Sequence, residues 1–347
     1  MNADNPPHAG SARSEAEELL ASAGWDLSPS RHLHHKEVLM QQIDNRTASA
    51  PAPRRRRLRP ALVLPVASMA LAGALVTTLS GGGHGSPPAA GSSTAPAKAT
   101  TAIVTLDRIA AAAMKTDVTA VGDGQFVYVE SLTRGNKGHF DGPVKLGALH
   151  RSEVWTAQTP GPVTRTGWLR ETGEDAVMPG EEVPIESTDP VRVGIDRPTY
   201  KWLASLPTDP GALLELLYSR TKVVEGESRD QAVFGTVGDL LRSTIMPPAT
   251  ASALYKAVER IPGVTESPDA VDAAGRHGIG ITREDAGSAT RDEWIFDRDT
   301  LTYLGSRSYM TKDKARGITT DTLYGIDAVM ERAVVDRHGE EPARTDG

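Results

Sequence analysis

The residues with the plainest ligand chemistry are clustered histidines and paired carboxylates. His32, His34 and His35 stand together, and helical spacing puts His32 and His35 on one face. Such a pair holds zinc when thiolates complete the tetrahedron, but the chain has no cysteine, so no metal is expected there. The same lack excludes disulfides, iron–sulfur clusters, thiol nucleophiles and cysteine lipid anchors. Asp297-Arg-Asp299 begins like a calcium loop, yet the places that need Gly and Glu hold Thr302 and Ser308, so a hairpin turn is expected instead. Glu181-Glu182 and Glu284-Asp285 could divide acid and base roles, but spacing alone does not face them to a common substrate. His139, His150 and His277 are isolated and read as surface or structural residues. There is no Gly-x-Ser-x-Gly elbow and no phosphate loop ending in Lys-Ser/Thr. Gly122-Asp-Gly124 lacks the third glycine of a dinucleotide turn and reads as the start of a strand. The expectation is a non-enzymatic protein with no catalytic, cofactor-binding or metal residues.

Charge gives more. Net charge is −7, yet the first 59 residues carry +2 and the remainder −9. An acidic body of this kind argues against nucleic acid as partner. The positive excess comes from Arg54, Arg55, Arg56, Arg57 and Arg59. No Asp, Glu, Lys or Arg follows from Pro60 to Ala97, and residues 61–79 are a 19-residue apolar stretch. A helix needs about 20 residues to cross the hydrocarbon core. The five arginines then set the membrane topology, with the N-terminus in the cytoplasm and everything beyond about residue 80 outside. They would also touch anionic lipid, so membrane lipid is an expected partner. Two other readings stay open: a buried core helix, and an export signal if translation starts at Met40. Hydrophobic content of 39% is too low for a multi-pass membrane protein.

The chain divides accordingly. Residues 1–53 are a short, partly helical cytoplasmic segment, with Ser14-Glu-Ala-Glu17 at capping-box spacing and Ser28-Pro29 as a second helix start. The arginine cluster is 54–59, the spanning helix 60–80 and a Gly/Ser/Pro spacer 81–100. Residues 101–340 read as one extracytoplasmic domain, with 341–347 as a tail. A helix is expected over Ile103–Lys115, then strands over 125–131, 153–158 and 166–171. Helices follow, one starting at Asp209-Pro210, one carrying Phe234 to Ile245 and one between Pro247-Pro248 and Pro262-Gly263. Strands return at 278–282, in a hairpin over 293–304, and as one or two strands over 324–335. The expected fold is α+β, a curved, mainly antiparallel sheet packed with helices, preceded by one transmembrane helix. Phe126, Tyr128, Trp155, Trp168 and Trp294 read as groove or core aromatics, and Trp202 belongs with them.

Several phrases, taken in order, resemble a known group. They include Gly124-Gln-Phe-Val-Tyr-Val129, Leu206-Pro-Thr-Asp-Pro210, Gly238-Asp-Leu-Leu-Arg242 and Ala253 to Val264, with Asp272 to Arg276 and Ile295 to Thr300 after them. With the arginine cluster and single span, they resemble an uncharacterised actinobacterial family of single-pass membrane proteins, often encoded beside extracytoplasmic-function sigma factors. A looser likeness, of architecture only, is to the half-barrels of periplasmic lipoprotein carriers and of a regulator of anti-sigma proteolysis. The resemblance implies a membrane-anchored regulatory or sensory protein, anti-sigma-like, with residues 1–53 contacting a sigma factor and the exported domain binding a lipid or peptide. A carrier for an apolar envelope ligand is the alternative, and an envelope hydrolase the third reading.

Overall fold

A computed structural model describes residues 94–342, less 118–119, 139–142, 177 and 314–316. Residues 1–53, the arginine cluster, the apolar stretch 60–80, most of the spacer and the end of the tail therefore lie outside the described residues. His32, His34, His35 and His139 do too. Among the described residues no helix is long and apolar enough to cross a membrane.

One antiparallel sheet of nine strands organises the chain, in the order β4-β3-β2-β1-β9-β8-β7-β6-β5. The first four strands are β1 Phe126–Gly135, β2 His150–Ala157, β3 Val163–Thr172 and β4 Glu182–Val191. The rest are β5 Val264–Val271, β6 His277–Asp285, β7 Thr290–Phe296, β8 Tyr303–Met310 and β9 Thr322–Val335. The 14-residue β9 pairs with β1 on one side and β8 on the other, joining two meanders. β4 and β5 are the outer edges. The connection between them must cross the sheet, and it does so as helices α2 Tyr200–Ala204, α3 Pro210–Arg220, α4 Arg229–Ser243 and α5 Pro248–Val258, which join α1 Thr94–Ala113 on one face.

Local chemistry explains the helix starts. Thr199, Asp209 and Ser228 each accept a backbone N–H three residues on, from Trp202, Ala212 and Gln231. Pro210 and Pro248 occupy first-turn positions, where a missing N–H is harmless. α1 begins at Thr94, inside the stretch read as spacer and ahead of the expected Ile103, because Pro96 falls in the first turn, where proline is tolerated. α2, β4 and β5 escape the sequence reading. α2 is a single turn, and β4 and β5 carry Pro184, Pro190 and Pro268, which edge strands accommodate.

The core lies between the helices and the sheet. Leu106 and Ile109 of α1, Leu213 and Leu217 of α3, Phe234 and Leu240 of α4 and Leu254 of α5 meet Ile281, Trp294 and Phe296. Each such side chain contributes about 1.5–3 kcal/mol by leaving water. Phe234 stacks on Trp294 with ring centroids 3.9 Å apart, and Gly238 makes that approach possible: a Cβ there would stand 2.6 Å from the indole nitrogen.

The sequence over 324–335 allows one strand or two. The structure has one, with a bulge: Glu130 pairs with Glu331 and Ser131 with Val329, which leaves Met330 out of register. In a regular strand Val329 and Val334 would face opposite ways. The bulge turns both to the helix side, where they share a cluster with Val127 and Val129, and Arg332 goes with them.

Candidate functional site

Where α1, the end of α4, the start of α5 and the β8–β9 half of the sheet meet, the core is left open. The space is a groove of about 430 Å³, within the ~300–1,000 Å³ of small-molecule sites. One wall is Ile109, Ala112 and Ala113 of α1, with Thr116 just beyond its end. The other is Leu241 of α4 and Thr244, Ile245 and Met246 after it, with Ala251 and Tyr255 of α5. Tyr303, Arg332 and Val334 form the sheet side, and the β7–β8 turn closes one end.

That turn is held by Asp297, whose carboxylate accepts the N–H groups of Asp299 and Thr300 at 3.0 and 2.7 Å and the Thr300 hydroxyl. These bonds hold its pKa below the usual carboxylate value. The expected hairpin turn is therefore present and uses its aspartate on its own backbone. Leu301 takes a left-handed φ of 60° at the tight return and puts its side chain against the core and the groove.

The polar groups of the groove are poorly satisfied. Arg332 is half-buried and donates to the Leu241 carbonyl, and its guanidinium lies 5.6 Å from the Tyr303 ring centre. Its Nε has no hydrogen-bond partner, and it is in no ion pair among the described residues, the buried Asp327 acting on it only through space. Burial pulls its pKa below the ordinary arginine value. Tyr255 makes no hydrogen bond through its hydroxyl, and burial pushes that phenol up. Tyr303 has a buried hydroxyl without a well-formed hydrogen bond, and burial, with the Asp327 carboxyl, raises it well above the ordinary phenol value. Beneath it Asp327 is 5% exposed, accepts from Ser306, and keeps one oxygen unpartnered; burial raises its pKa. A buried polar atom left unpaired costs about 1–3 kcal/mol, so this floor is the least satisfied part of the domain.

The aromatic residues singled out from the sequence do not line this groove. Tyr128, Trp155 and Trp168 are cross-strand neighbours on the face turned away from the helices, with Phe126 beside them. Trp294 is on the helix side, in the core. The outer row is covered by the chain's own C-terminal segment. Trp155 Nε1 donates to the Glu340 carbonyl at 2.8 Å, and the His338 ring stacks on Trp168 at 4.0 Å. Below them Glu153, fully buried, accepts from Arg170 at 2.8 and 2.7 Å and from the Tyr128 hydroxyl at 3.0 Å. Glu341 closes over Arg170. This is a satisfied structural network. Trp202 packs part-buried against the main core.

The remaining sequence candidates stay apart. Glu284 is exposed and pairs with Arg291, whereas Asp285 is buried and accepts from Ser228 and Ser288. Adjacent positions in a strand face opposite ways, so they form no acid–base couple. Glu182 meets His338, His277 meets Asp269, and His150 lies 3.7 Å from Glu171. Among the described residues no group of three or more His, Asp or Glu could hold a metal ion.

Arg332 does not stand out in the sequence. Its signal is an arginine in phase with Val334 inside an apolar strand, but the phase is readable only once the bulge at Met330 is known. Compared with protein-family models, curated proteins and solved structures, the chain matches none.

Proposed function

We propose that the chain is a membrane-anchored binding protein whose nine-stranded domain takes an apolar ligand into the groove between α1, α4–α5 and β8–β9. The observation that carries this reading is the groove itself, about 430 Å³ of space walled by Ile109, Leu241, Ile245, Leu301 and Val334 in a domain otherwise closely packed. Ile245, Leu301 and Val334 keep part of their apolar surface in water, and a ligand tail would remove it. In this reading residues 61–79 span the bilayer, Arg54 to Arg59 hold the leading end in the cytoplasm, and the domain stands outside. The sheet would curve around the helices as in the half-barrel carriers that the segment order resembles. Residues 1–53 would meet a cytoplasmic partner, a sigma factor by the same resemblance, making the protein a regulator or sensor rather than an enzyme.

The test uses the absence of cysteine. Ala112→Cys, in the full chain in nanodiscs, carries an environment-sensitive fluorophore on the groove wall, and Met330→Cys carries it on the exposed bulge. Added palmitate or lysolipid should change emission at position 112, saturably, with no change at 330. Equal, unsaturable responses at both positions would refute ligand binding in the groove.

A further inference from the structure

The ligand's head group can be inferred from the groove's one cation. Of the described residues that line the space, Arg332 alone is basic. It sits where α4 ends against β9, half-buried, with one nitrogen given to the Leu241 carbonyl and Nε given to nothing. Elsewhere in the domain several buried or part-buried arginines have carboxylate or carbonyl partners, although Arg134, Arg151, Arg197 and Arg242 also keep an Nε with no hydrogen-bond partner. Arg170 lies on Glu153, Arg276 on Asp272, Arg307 on Glu293 and Arg283 beside Asp285, while Arg197 serves two carbonyls of the 159–161 turn. Arg332 is in no ion pair among the described residues, only the buried Asp327 acting on it through space, and two phenols of the same groove, Tyr255 and Tyr303, have hydroxyls with no well-formed hydrogen bond. A guanidinium edge and a phenol that have no acceptor, set at the base of apolar walls, are complementary to a monoanion on an apolar tail. A dianion fits less well. No second base lines the groove, Asp117 stands at its rim, and the Asp327 carboxyl lies beneath.

Resting on the groove reading above, we propose that the ligand is a single-chain fatty acid, its carboxylate on Arg332 with a phenol of Tyr255 or Tyr303 donating to it, and its tail along α1. The tail then lies against Ile109, Leu241, Ile245 and Val334, and the head is the buried end.

The experiment uses the full chain in phosphatidylcholine nanodiscs and palmitate carrying a diazirine near its methyl end. After irradiation, digestion and mass spectrometry, label should sit on peptides containing 109–117 and 241–246. Unlabelled palmitate should remove that label, and methyl palmitate should compete about tenfold less well, because the ester lacks the charge that the guanidinium reads. Arg332→Gln should lower groove labelling about tenfold, and Arg332→Lys should restore part of it. The competition arm needs no variant, so a folding defect cannot hide the answer. Equal competition by the acid and its methyl ester, with full labelling of Arg332→Gln, would overturn the head-group assignment and leave the groove reading standing. Lysophosphatidate competing about tenfold better than palmitate would overturn the carboxylate in favour of a phosphate. No label on the groove peptides of the unaltered chain would overturn both readings.

Discussion

A half-buried charge held in no ion pair weakens the fold around it, and Asp327 offsets this for Arg332 only through space. If Arg332 is kept for a ligand, the ligand-free protein should be more stable without it. We predict that Arg332→Met raises the unfolding free energy of lipid-stripped protein by about 1 kcal/mol, seen as a denaturant midpoint shift at constant slope. A loss of several kcal/mol would make Arg332 a structural residue instead. A second residue-scale test is Glu259, just after α5. Burial pushes its carboxyl up to about 7, and Asp107 of α1 adds to the rise. The folded pKa thus exceeds the ordinary value of 4.5, so the folded state holds the proton more tightly between those values. Stability should fall as pH rises through that window. Glu259→Gln should flatten the profile and add about 1 kcal/mol above pH ~7, after allowance for solvent screening. An unchanged pH profile in thermal unfolding would remove Glu259 as the cause. Neither residue stands out in sequence, because burial and missing partners come from strands and helices far apart in the chain.

At the scale of elements, much was legible. Caps and prolines marked α3 and α5, and β-branched and aromatic runs marked β1, β2, β3, β6, β7 and β8. What was not legible has physical causes. β4 and β5 contain prolines that argue against a central strand but suit an edge, and edge position is a property of the sheet, not of the segment. The bulge in β9 shifts the alternation of Val329 and Val334, so one strand looks like two. The aromatic row was found as residues but not as a place, because the segment that covers it, with His338 and Glu340, comes about 170 residues after Trp168. The packing of α4 on β7 gives a further prediction. Gly238→Ala should cost about 1–3 kcal/mol by pushing a methyl group at the Trp294 indole, with a changed near-ultraviolet dichroism from the Phe234–Trp294 stack. Gly124→Ala, which meets nothing within 4 Å, should stay within about 0.5 kcal/mol of the unaltered chain.

For the whole molecule, the sheet has two unlike faces. One is covered by helices and contains the groove. The other carries part-buried ion pairs such as Arg307 with Glu293 and Arg291 with Asp321, and on its β1–β3 half the aromatic row that the C-terminal segment covers. In the proposed arrangement this domain stands outside the membrane that residues 61–79 would cross. The placement is testable with a membrane-impermeant maleimide on intact cells. Met330→Cys should react from outside, and Ser11→Cys only after lysis; the reverse pattern, or reaction of neither before lysis, would contradict it. The central claim is that the groove is an occupied binding site. The most direct measurement is lipid extraction and mass spectrometry of the full chain purified from its own membranes, beside Ala112→Trp, which fills the groove from α1. One defined fatty acid per chain should be found, enriched over the bulk lipid and lost in Ala112→Trp. The same lipid profile in both proteins, matching the bulk membrane, would contradict the claim.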